Sequence, residues 1–559
     1  MLLDDIQKRV LLLASLQREY LLSRAESNPI SLPHLNLSHP EIVEECYARQ
    51  LAAGADIILS NTGRANRGFL GNKIAAKELA AMNAKGVQIA RAAAGEEAYV
   101  AAHVIPPEIS FRDGNFSFEQ IYDDLAQQIE ILLQEKIDLL CIGPTSELKN
   151  LQIAVIAANT LRGDVPLMMI YNFKDGCHTR VGVNAELAAT AFDSLDVDII
   201  CAQCACRQKP RKACLCQHTN KLVAMVAHPE ARQDMEGQIK SLVVHGACII
   251  VLPESVPFEK LRHYRQLAEG KCLFRSPISF PLRIGGTSKV VKIGGRYHFV
   301  KIGERINPTG RKRLADSIVK GRTDLILKEA RDQQQAGAQA LDVNIGAPLA
   351  DEKSMMAAAV HAIQSEIALP LVCDSNDPAV IEAGLQAATG KVLINSVNAK
   401  ESSIEAILPL VKRYGAAVIL LTIDEQIPAS AEERLAIARR LVEACRSYRI
   451  PRNDLIIDPA ALAVASSPGC GQELLRAIGL IKEELGLPIS LGVSNVSFGL
   501  PQRALVHNTF LVQAISMGLN AAIMNPLDAD VHKMILAADL FSGRDQDAMK
   551  YVRGMRKLA

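Results

Sequence analysis

The sequence predicts an α/β fold in which two (β/α)8 (TIM) barrels follow one another along the chain. The chain has 559 residues, more than one hydrophobic core usually supports, so two domains are expected. Short apolar runs alternate with segments that are long enough for helices, as parallel strands joined by crossover connections require. An interval rich in Pro, Gly and Ser, 275–297, shows no helical period and predicts a linker between domains 1–274 and 298–559.

Eight apolar runs in the first half predict the strands of the first barrel. They are 10–13, 56–59, 99–104, 138–142, 166–170, 197–201, 222–226 and 248–252. The runs are short and almost wholly apolar, as expected of parallel strands that are buried on both faces. Intervening segments such as 42–53 and 74–94 place apolar residues at helical spacing, which supports crossover helices.

The same pattern restarts after the predicted linker. The second set of predicted strands is 299–302, 340–343, 371–373, 392–394, 417–421, 455–457, 489–492 and 521–524. Each of these strands is followed by polar residues. In barrels of this kind, the functional side chains come from the carboxyl ends of the strands, so these polar residues predict the site.

Carboxylates and amides dominate the predicted strand ends of the second half. The candidate ligand-binding residues are Glu304, Asn307, Asn344, Asp374, Asn395, Asp458, Gly492, Ser494, Asn495 and Arg503. Cations are sparse at these positions, whereas a phosphate site would need a cation and a glycine-rich backbone cradle. Acceptors and amides suit a ligand that brings its own N–H donors. The amino-pyrimidinone edge of a reduced pterin has such donors, and Asp374 and Asp458 are the best candidates to face them.

The stretch 492–503 has the composition of a binding loop. Gly492 and Ser494 are small enough to let a flat ring approach the backbone, and Arg503 lies at the end of the stretch. Asn395 and Asn495 carry amides, which both donate and accept, so they suit ring nitrogens in either protonation state.

Several motifs of the second half resemble the pterin-binding domain shared by cobalamin-dependent methionine synthases and methyltetrahydrofolate:corrinoid methyltransferases. They are Gly303-Glu-Arg-Ile-Asn-Pro-Thr-Gly310, Leu341-Asp-Val-Asn344, Asp374-Ser375, Ile394-Asn-Ser396 and Gly492-Val-Ser-Asn-Val-Ser-Phe-Gly-Leu-Pro501. The resemblance implies that Asp374, Asn395 and Asp458 bind the ring of methyltetrahydrofolate. It also implies that Asn495 forms a hydrogen bond at the methyl-bearing nitrogen, and that the methyl acceptor is cobalamin held by a partner corrinoid protein.

The first half resembles the homocysteine-binding barrel of the same enzymes, through segments 40–45, 52–62 and 91–100. The family's metal site takes one Cys from a strand in mid-barrel and two adjacent Cys after the last strand. Cys204 matches the first position, but the last strand here continues into Pro253-Glu254-Ser255. Because zinc converts the homocysteine thiol into a bound thiolate at neutral pH, the missing pair argues against that chemistry.

Three interpretations follow for the whole chain. The preferred one is a methyltransferase that acts between methyltetrahydrofolate and a corrinoid protein. A methionine synthase subunit and a first barrel that serves as a non-catalytic docking module are the alternatives. An enzyme of the dihydropteroate synthase type shares the ring-binding acids, but it needs a diphosphate cradle that the sequence does not clearly contain.

A group of cysteines in the first half forms a second candidate site. Its members are Cys201, Cys204, Cys206, Cys214, Cys216 and His218. C-x-x-C followed by C-x-C-x-H is a pattern that can supply a tetrahedral zinc site or an iron–sulfur site. The alternative is a set of reduced thiols, which suits a chain that has thirteen cysteines and no secretion signal.

Charge and hydropathy exclude several classes of partner. The net charge is +1, and there is no basic tract, so neither nucleic acid nor a membrane surface is expected as a partner. The acidic start predicts a cytoplasmic protein. A cobalamin-binding Asp-x-His-x-x-Gly signature has only a near match at Asp530-Val-His532, which is why the corrinoid is expected on a partner. A homodimer is plausible by resemblance alone.

Overall fold

The computed structural model describes residues 2–25, 29–108, 117–173, 178–179, 181–204, 215–227, 234–269, 276–467 and 469–558. It divides the chain into two compact units, Met1–Ile278 and Ser279–Ala559.

The first unit is a closed barrel of eight parallel strands in sequential order. They are β1 (Leu11–Ala14), β2 (Ile57–Leu59), β3 (Tyr99–Val104), β4 (Leu139–Thr145), β5 (Leu167–Phe173), β6 (Ile199–Cys204), β7 (Leu222–Val226) and β8 (Ile249–Leu252). Closure comes from the pairing of β1 with β8, where Leu11 aligns with Ile249. The fold class and the positions of these strands were predicted from the apolar runs and are confirmed.

The helices of the first unit connect these strands. They are α1 (Leu2–Lys8), α2 (Arg18–Arg24), α3 (Leu35–Ser38), α4 (Pro40–Ala52), α5 (Arg67–Leu70), α6 (Ala76–Ala94), α7 (Phe118–Leu133), α8 (Leu148–Leu161), α9 (Ala185–Phe192), α10 (Met235–Val244) and α11 (Phe258–Leu267). Helix α7 begins where Ser117 and Gln120 form a reciprocal capping box, which satisfies two backbone N–H groups that a helix start leaves free. The barrel interior is filled by apolar side chains such as Leu13, Ile57 and Ile170, so it is a packed core rather than a pore.

The second unit begins with an antiparallel hairpin that lies inside the interval predicted as the linker. Its strands are β9 (Leu282–Gly285) and β10 (Val290–Ile293). Leu282, Ile284 and Ile293 belong to the same buried cluster as the interior residues of the second barrel. Because Gly285 bridges to Lys391, directly before a barrel strand, the hairpin covers the amino-terminal end of that barrel.

The second barrel has seven parallel strands that curl around a core. They are β11 (Val300–Ile306), β12 (Ala340–Asn344), β13 (Leu371–Asp374), β14 (Leu393–Val397), β15 (Ala417–Leu421), β16 (Leu455–Asp458) and β17 (Ala521–Met524). The predicted strand 489–492 occupies the eighth position through two single bridges, Ile457 to Ile489 and Gly492 to Ile523. It does not extend further because a 3-10 helix, Val493–Ser497, starts at once.

Helices pack around the second sheet. They are α12 (Lys312–Val319), α13 (Asp324–Gln335), α14 (Glu352–Glu366), α15 (Pro378–Ala387), α16 (Glu401–Tyr414), α17 (Ala431–Ser447), α18 (Cys470–Leu485), α19 (Arg503–Met517), α20 (Ala529–Phe541) and α21 (Met549–Leu558). Helix α17 starts with a capping box formed by Ser430 and Glu433. In the described ranges of both units, no helix is long and apolar enough to span a bilayer.

Candidate functional site

The register of the second sheet brings the predicted site residues into one row. Asn344 aligns with Asp374 across β12 and β13, and Asp374 aligns with Asn395 across β13 and β14. All three residues lie at the carboxyl ends of their strands, where parallel strands terminate at a common edge. Because side chains alternate along a strand, Asp342 lies two residues before Asn344 on the same face.

A pair of carboxyl groups forms the floor of this row. The Asn344 amide donates to Asp374 Oδ2 at 2.9 Å, and the Asn395 amide donates to Asp342 Oδ1 at 3.3 Å. Burial, and then the neighbouring charge of Asp374, raise the pKa of Asp342 well above its ordinary value. Burial also raises the pKa of Asp374, which hydrogen bonds from Asn344 and Asp342 oppose. Burial and the closeness of the two carboxyl groups therefore favour protonation of the pair, and Asp342 is the more strongly affected member.

Asp458 lies two strands further around the barrel, at the end of β16. It is 8% exposed, and its Oδ1 accepts from the backbone N–H of Ala460 at 2.8 Å. Burial raises the pKa of this carboxyl to about 7, against the lowering effect of N–H groups from Ala460 and Gly492. A carboxyl group with this pKa changes its charge near neutral pH.

Glu304 lies in β11 and connects to the loop after the eighth position. The Ser494 hydroxyl lies 3.0 Å from each carboxylate oxygen of Glu304 and donates to this group. Burial raises the pKa of Glu304, while Ser494 and the nearby Arg503 and Arg305 oppose that rise. Glu304 also contributes to the raised pKa of Asp342, so the two parts of the rim are electrostatically connected.

Asn495 lies in the 3-10 helix after the eighth position, and its side chain is exposed. Its backbone N–H donates to the Gly492 carbonyl at 3.2 Å. A Cβ atom on Gly492 would lie 3.1 Å from the Asn495 amide nitrogen, closer than most real contacts. The absence of a side chain at position 492 therefore lets the Asn495 amide fold over the strand end.

Arg503 holds this loop in place. Its Nη2 donates to the Ser494 carbonyl at 2.9 Å, its Nε donates to Ser497 Oγ at 3.3 Å, and its guanidinium lies 5.6 Å from the centre of the Phe498 ring. The Asn307 side chain accepts from the backbone N–H of Thr309 at 2.9 Å, which is a local turn. Arg503 and Asn307 thus shape the rim, whereas the other predicted residues line it.

Asp342 is the residue of this cluster that the sequence analysis missed. It lies in the Leu341-Asp-Val-Asn344 segment, of which only Asn344 is among the site residues that the sequence predicts. The signal was the period of two along a strand, which places positions 342 and 344 on one face. Its involvement follows from the hydrogen bond with Asn395 and the coupling with Asp374.

The carboxyl end of the first barrel is built differently. The Gln128 amide donates to the Thr62 carbonyl at 2.8 Å and accepts from Asn66 at 3.0 Å. The Asn36 amide donates to the Asn61 carbonyl at 2.8 Å, and the Asn61 amide donates to Asn36 Oδ1 at 2.9 Å. These buried amides satisfy backbone and side-chain groups of neighbouring loops, so they hold the loops together.

Two titratable groups of the first barrel are buried near this network. His103 hydrogen-bonds the Gly143 carbonyl through Nε2 at 2.6 Å, and burial lowers its pKa to about 4. Lys149 lies in the first turn of α8 with its ammonium 5.5 Å from the centre of the Phe118 ring, and burial lowers its pKa to about 7.

The described residues do not support the predicted metal site. Cys201 is fully buried in the apolar interior of the first barrel, where burial raises its thiol pKa well above the ordinary value. Cys206 and Cys214 lie outside the described residues, and of Cys204 and Cys216 only the backbone is described. Within the described ranges, no group of three or more His, Cys, Asp or Glu side chains is arranged to hold a metal ion.

The position of the family's adjacent cysteine pair does not fit zinc either. Strand β8 is followed by Pro253, Glu254 and Ser255 rather than by thiols. Cys248, directly before β8, is fully buried among core residues, and its Sγ lies 3.3 Å from the Val223 carbonyl.

Two tandem parallel barrels, one with a rim of carboxylates and amides, define a small-molecule-binding α/β barrel protein. Comparison with known families specifies each barrel. Residues 6–247 match the family model "Homocysteine S-methyltransferase", and residues 303–525 match "Pterin binding enzyme". Each match lies within one barrel, the homocysteine S-methyltransferase model in the first and the pterin-binding enzyme model in the second.

The chain is also similar to individual proteins. It is 26% identical over 538 residues to a methionine synthase of Mycobacterium tuberculosis, an alignment that covers 88% of this chain and 45% of that protein. It thus spans less than half the length of this relative. Two structures of the homocysteine methyltransferase MmuM from Escherichia coli each align with 47% of this chain. The metallated form is 17% identical over 98% of its own length, with a TM-score of 0.39. The oxidised form is 16% identical over 97% of its own length, with a TM-score of 0.41. The family matches and the methionine synthase similarity together support a methyltransferase.

Proposed function

We propose that this chain moves the N5-methyl group between methyltetrahydrofolate and the cobalt of a corrinoid that a separate protein carries. The observation that carries the proposal is the row of Asn344, Asp374 and Asn395 at one rim, with Asp458 and Asn495 near it, in a domain of the pterin-binding enzymes. Such a rim offers acceptors to a pterin's N–H groups and leaves an amide for its ring nitrogen.

The carboxyl groups fit the demands of the pterin ring. Asp374 is an acceptor that Asn344 orients, and it lies beside Asp342, whose pKa burial raises well above its ordinary value. Asp458, when ionised, presents a second acceptor from another strand. Two acceptors on separate strands hold a planar ring in one orientation, and a fixed orientation lowers the entropic cost of transfer.

Methyl transfer from N5 needs help at the nitrogen. N5 first takes up a proton from solvent, and the methyl group then leaves without the electron pair of the C–N bond, so the pair stays on nitrogen and the product is a neutral N–H amine. The corrinoid supplies the cobalt nucleophile that receives the methyl group. Asn495, exposed beside the rim, stabilises the protonated nitrogen through its amide oxygen, a contact that strengthens as the charge develops.

The rim of the second barrel also exposes apolar side chains that suit a large partner. Leu349 is 97% exposed and has a φ of 71°, a backbone region that is costly for a leucine. Phe498 is 68% exposed in the loop after the eighth position, and Leu527 follows β17. Leu349, Phe498 and Leu527 all lie on loops at the carboxyl ends of strands, which we call the apolar rim, and they support docking of the corrinoid protein there.

The near match to a cobalamin-binding signature does not offer a cobalt ligand. His532 Nε2 donates to the Pro526 carbonyl at 2.7 Å, and its Nδ1 accepts from the Lys301 ammonium at 2.6 Å. Both ring nitrogens are thus engaged within α20 and β11. This supports a corrinoid carried elsewhere.

A methionine synthase subunit is the second candidate, favoured by the family of residues 6–247. In that case homocysteine would receive the methyl group in the first barrel. The thiol-activating metal ligands expected after β8 are replaced by Pro253, Glu254 and Ser255, so this candidate ranks second.

One experiment separates the two candidates. Purified protein is incubated with methyltetrahydrofolate and either cob(I)alamin or homocysteine with catalytic cobalamin, and tetrahydrofolate formation is measured. We expect methyl transfer to cob(I)alamin and no rapid methionine formation. Failure with cob(I)alamin refutes the proposed reaction, while rapid methionine formation together with bound zinc in metal analysis favours the second candidate.

A further inference from the structure

Arg434 is a fully buried arginine in the second barrel. It lies in the first turn of α17, is 0% exposed and is among the largest buried side chains of the chain. Its Nε donates to the Pro459 carbonyl at 2.8 Å, and its Nη1 donates to the carbonyls of Ala429 and Ser430 at 3.2 Å and 3.1 Å. The acceptors of these three hydrogen bonds are all neutral carbonyls. Burying a charge whose hydrogen-bond acceptors are neutral is costly. The presence of an arginine here therefore indicates a role that a hydrophobic residue could not fill.

The Pro459 carbonyl connects this arginine to the site. Pro459 follows Asp458 directly, and proline has no N–H of its own, so its carbonyl is the only backbone polar group there that a neighbour can hold. The next residue, Ala460, has a φ of 58°, a left-handed conformation that alanine adopts at a cost. In this conformation its N–H lies 2.8 Å from Asp458 Oδ1.

We propose that Arg434 is a positioning residue for Asp458. By holding the Pro459 carbonyl, it keeps Ala460 in the left-handed turn that directs its N–H at the Asp458 carboxylate. The carboxylate thereby keeps its orientation towards the barrel mouth and its stabilising hydrogen bond. The inference rests on the proposed function, because it takes the ligand of Asp458 to be a pterin.

The arrangement has a consequence for the pH dependence of binding. In the described part of the chain, the groups that perturb the Asp458 carboxyl are the backbone N–H groups of Ala460 and Gly492, together with burial. A hydrogen bond to the charged form lowers a carboxyl pKa. Release of the Ala460 N–H therefore raises the pKa of Asp458, and ionisation, which a pterin's N–H donors require, moves to higher pH.

The test compares three variants of the full chain. Arg434→Met removes the donors, Arg434→Lys keeps a cation with one donor group, and Arg544→Met is the matched control. The Arg544 side chain is also buried, donates to the Leu519 carbonyl at 2.7 Å and pairs with Asp539 at 3.4 Å. Arg544 follows α20, and Leu519 precedes β17, at the amino-terminal end of the strands and away from Asp458. The dissociation constant of methyltetrahydrofolate is measured by calorimetry from about pH 6 to about pH 9, a range that contains the raised pKa of Asp458, about 7. Thermal unfolding is followed in parallel.

We expect Arg434→Met to weaken binding about 10-fold at neutral pH and to shift the midpoint of the pH profile upward by about one unit, the effect of one lost hydrogen bond to a charged group. Arg434→Lys should recover part of both changes. Arg544→Met should lower the unfolding temperature and leave the midpoint in place. If Arg434→Met does not fold, the midpoint of Arg434→Lys decides.

Two outcomes overturn the inference in distinguishable ways. If the wild-type chain binds methyltetrahydrofolate and the Arg434 variants share its midpoint, Arg434 stabilises the fold without positioning Asp458. If the wild-type chain does not bind methyltetrahydrofolate, the proposed function itself fails, and the inference fails with it.

Discussion

The carboxyl ends of the two barrels both carry buried polar residues but use them for different purposes. In the first barrel, the amides of Asn36 and Gln128 donate to loop carbonyls and accept from the amides of Asn61 and Asn66, respectively. In the second barrel, carboxyl groups such as Asp374 and Asp458 lie at the carboxyl ends of strands, and burial raises their pKa values. Amides that hold neighbouring loops stabilise a scaffold, whereas a group of carboxyls with perturbed pKa values is a candidate functional site.

This difference matters because both barrels match models of enzyme families. A family match of residues 6–247 describes similarity of the fold, but function depends on the site that the fold carries. The second barrel has both the family match and the side-chain arrangement. We therefore place the proposed chemistry there, and the effects of four variants test this difference between the barrels.

The largest effect is expected from Asn495→Ala. Loss of the amide should lower methyl transfer about 100- to 1,000-fold, since it removes a contact that strengthens in the transition state. The dissociation constant of methyltetrahydrofolate should change much less. Single-turnover transfer and calorimetric binding are compared with Asn398→Ala, which removes an amide that caps the Lys400 backbone N–H. An equal loss of binding and transfer would assign Asn495 to ring binding alone.

Asp458→Asn should weaken folate binding and stabilise the fold. Loss of the charged acceptor should weaken binding about 10- to 100-fold. Burial raises the pKa of Asp458 from 3.8 to about 7, so its ionisation opposes folding above about pH 4 and does so in full above pH 7. The variant should therefore gain up to about 4 kcal/mol of unfolding free energy at alkaline pH and little near pH 4.

Urea unfolding of wild type and variant at both pH values measures this gain. A gain that is equal at both pH values would show that ionisation of Asp458 is not its cause.

Leu349→Asp tests the apolar rim. A charge at this 97% exposed position should raise the KM for a corrinoid protein about 10-fold, in line with the loss of one buried leucine contact, and leave transfer to free cob(I)alamin unchanged. Phe541→Asp is the matched control, because Phe541 is 86% exposed at the end of α20, away from the rim. Equal effects of both variants would argue against docking at the rim.

The smallest functional effect is expected from Gln128→Ala in the first barrel. Its side chain contacts Thr62, Asn66 and Asn83, so its loss should reduce the unfolding free energy by about 1–3 kcal/mol. Folate binding should not change. Urea unfolding and calorimetry measure the two quantities, and reduced folate binding would contradict the division of roles between the barrels.

Much of the fold could be predicted because strand position depends on local hydrophobicity. Every predicted strand of the first barrel overlaps an observed one, since buried parallel strands need continuous apolar runs. The eighth position of the second barrel is only bridged, because residues 493–497 turn into a 3-10 helix. The hairpin of β9 and β10 was not predicted, since its composition resembles that of a loop. Its burial depends on contacts with residues of the second barrel that are distant in sequence.

The candidate site could likewise be predicted only in part. The apolar runs show which strand ends carry Asp374, Asn395, Asp458 and Asn495, because these polar residues follow where each run ends. Tertiary structure alone decided which of them touch. Parallel register placed Asn344, Asp374 and Asn395 in one row, and burial coupled Asp374 to Asp342. Packing of α17 against the strand ends also placed Arg434, distant in sequence, in contact with the turn beside Asp458. Contacts of this kind depend on how strands and helices align in space, and hydrophobic spacing along the chain does not contain that information.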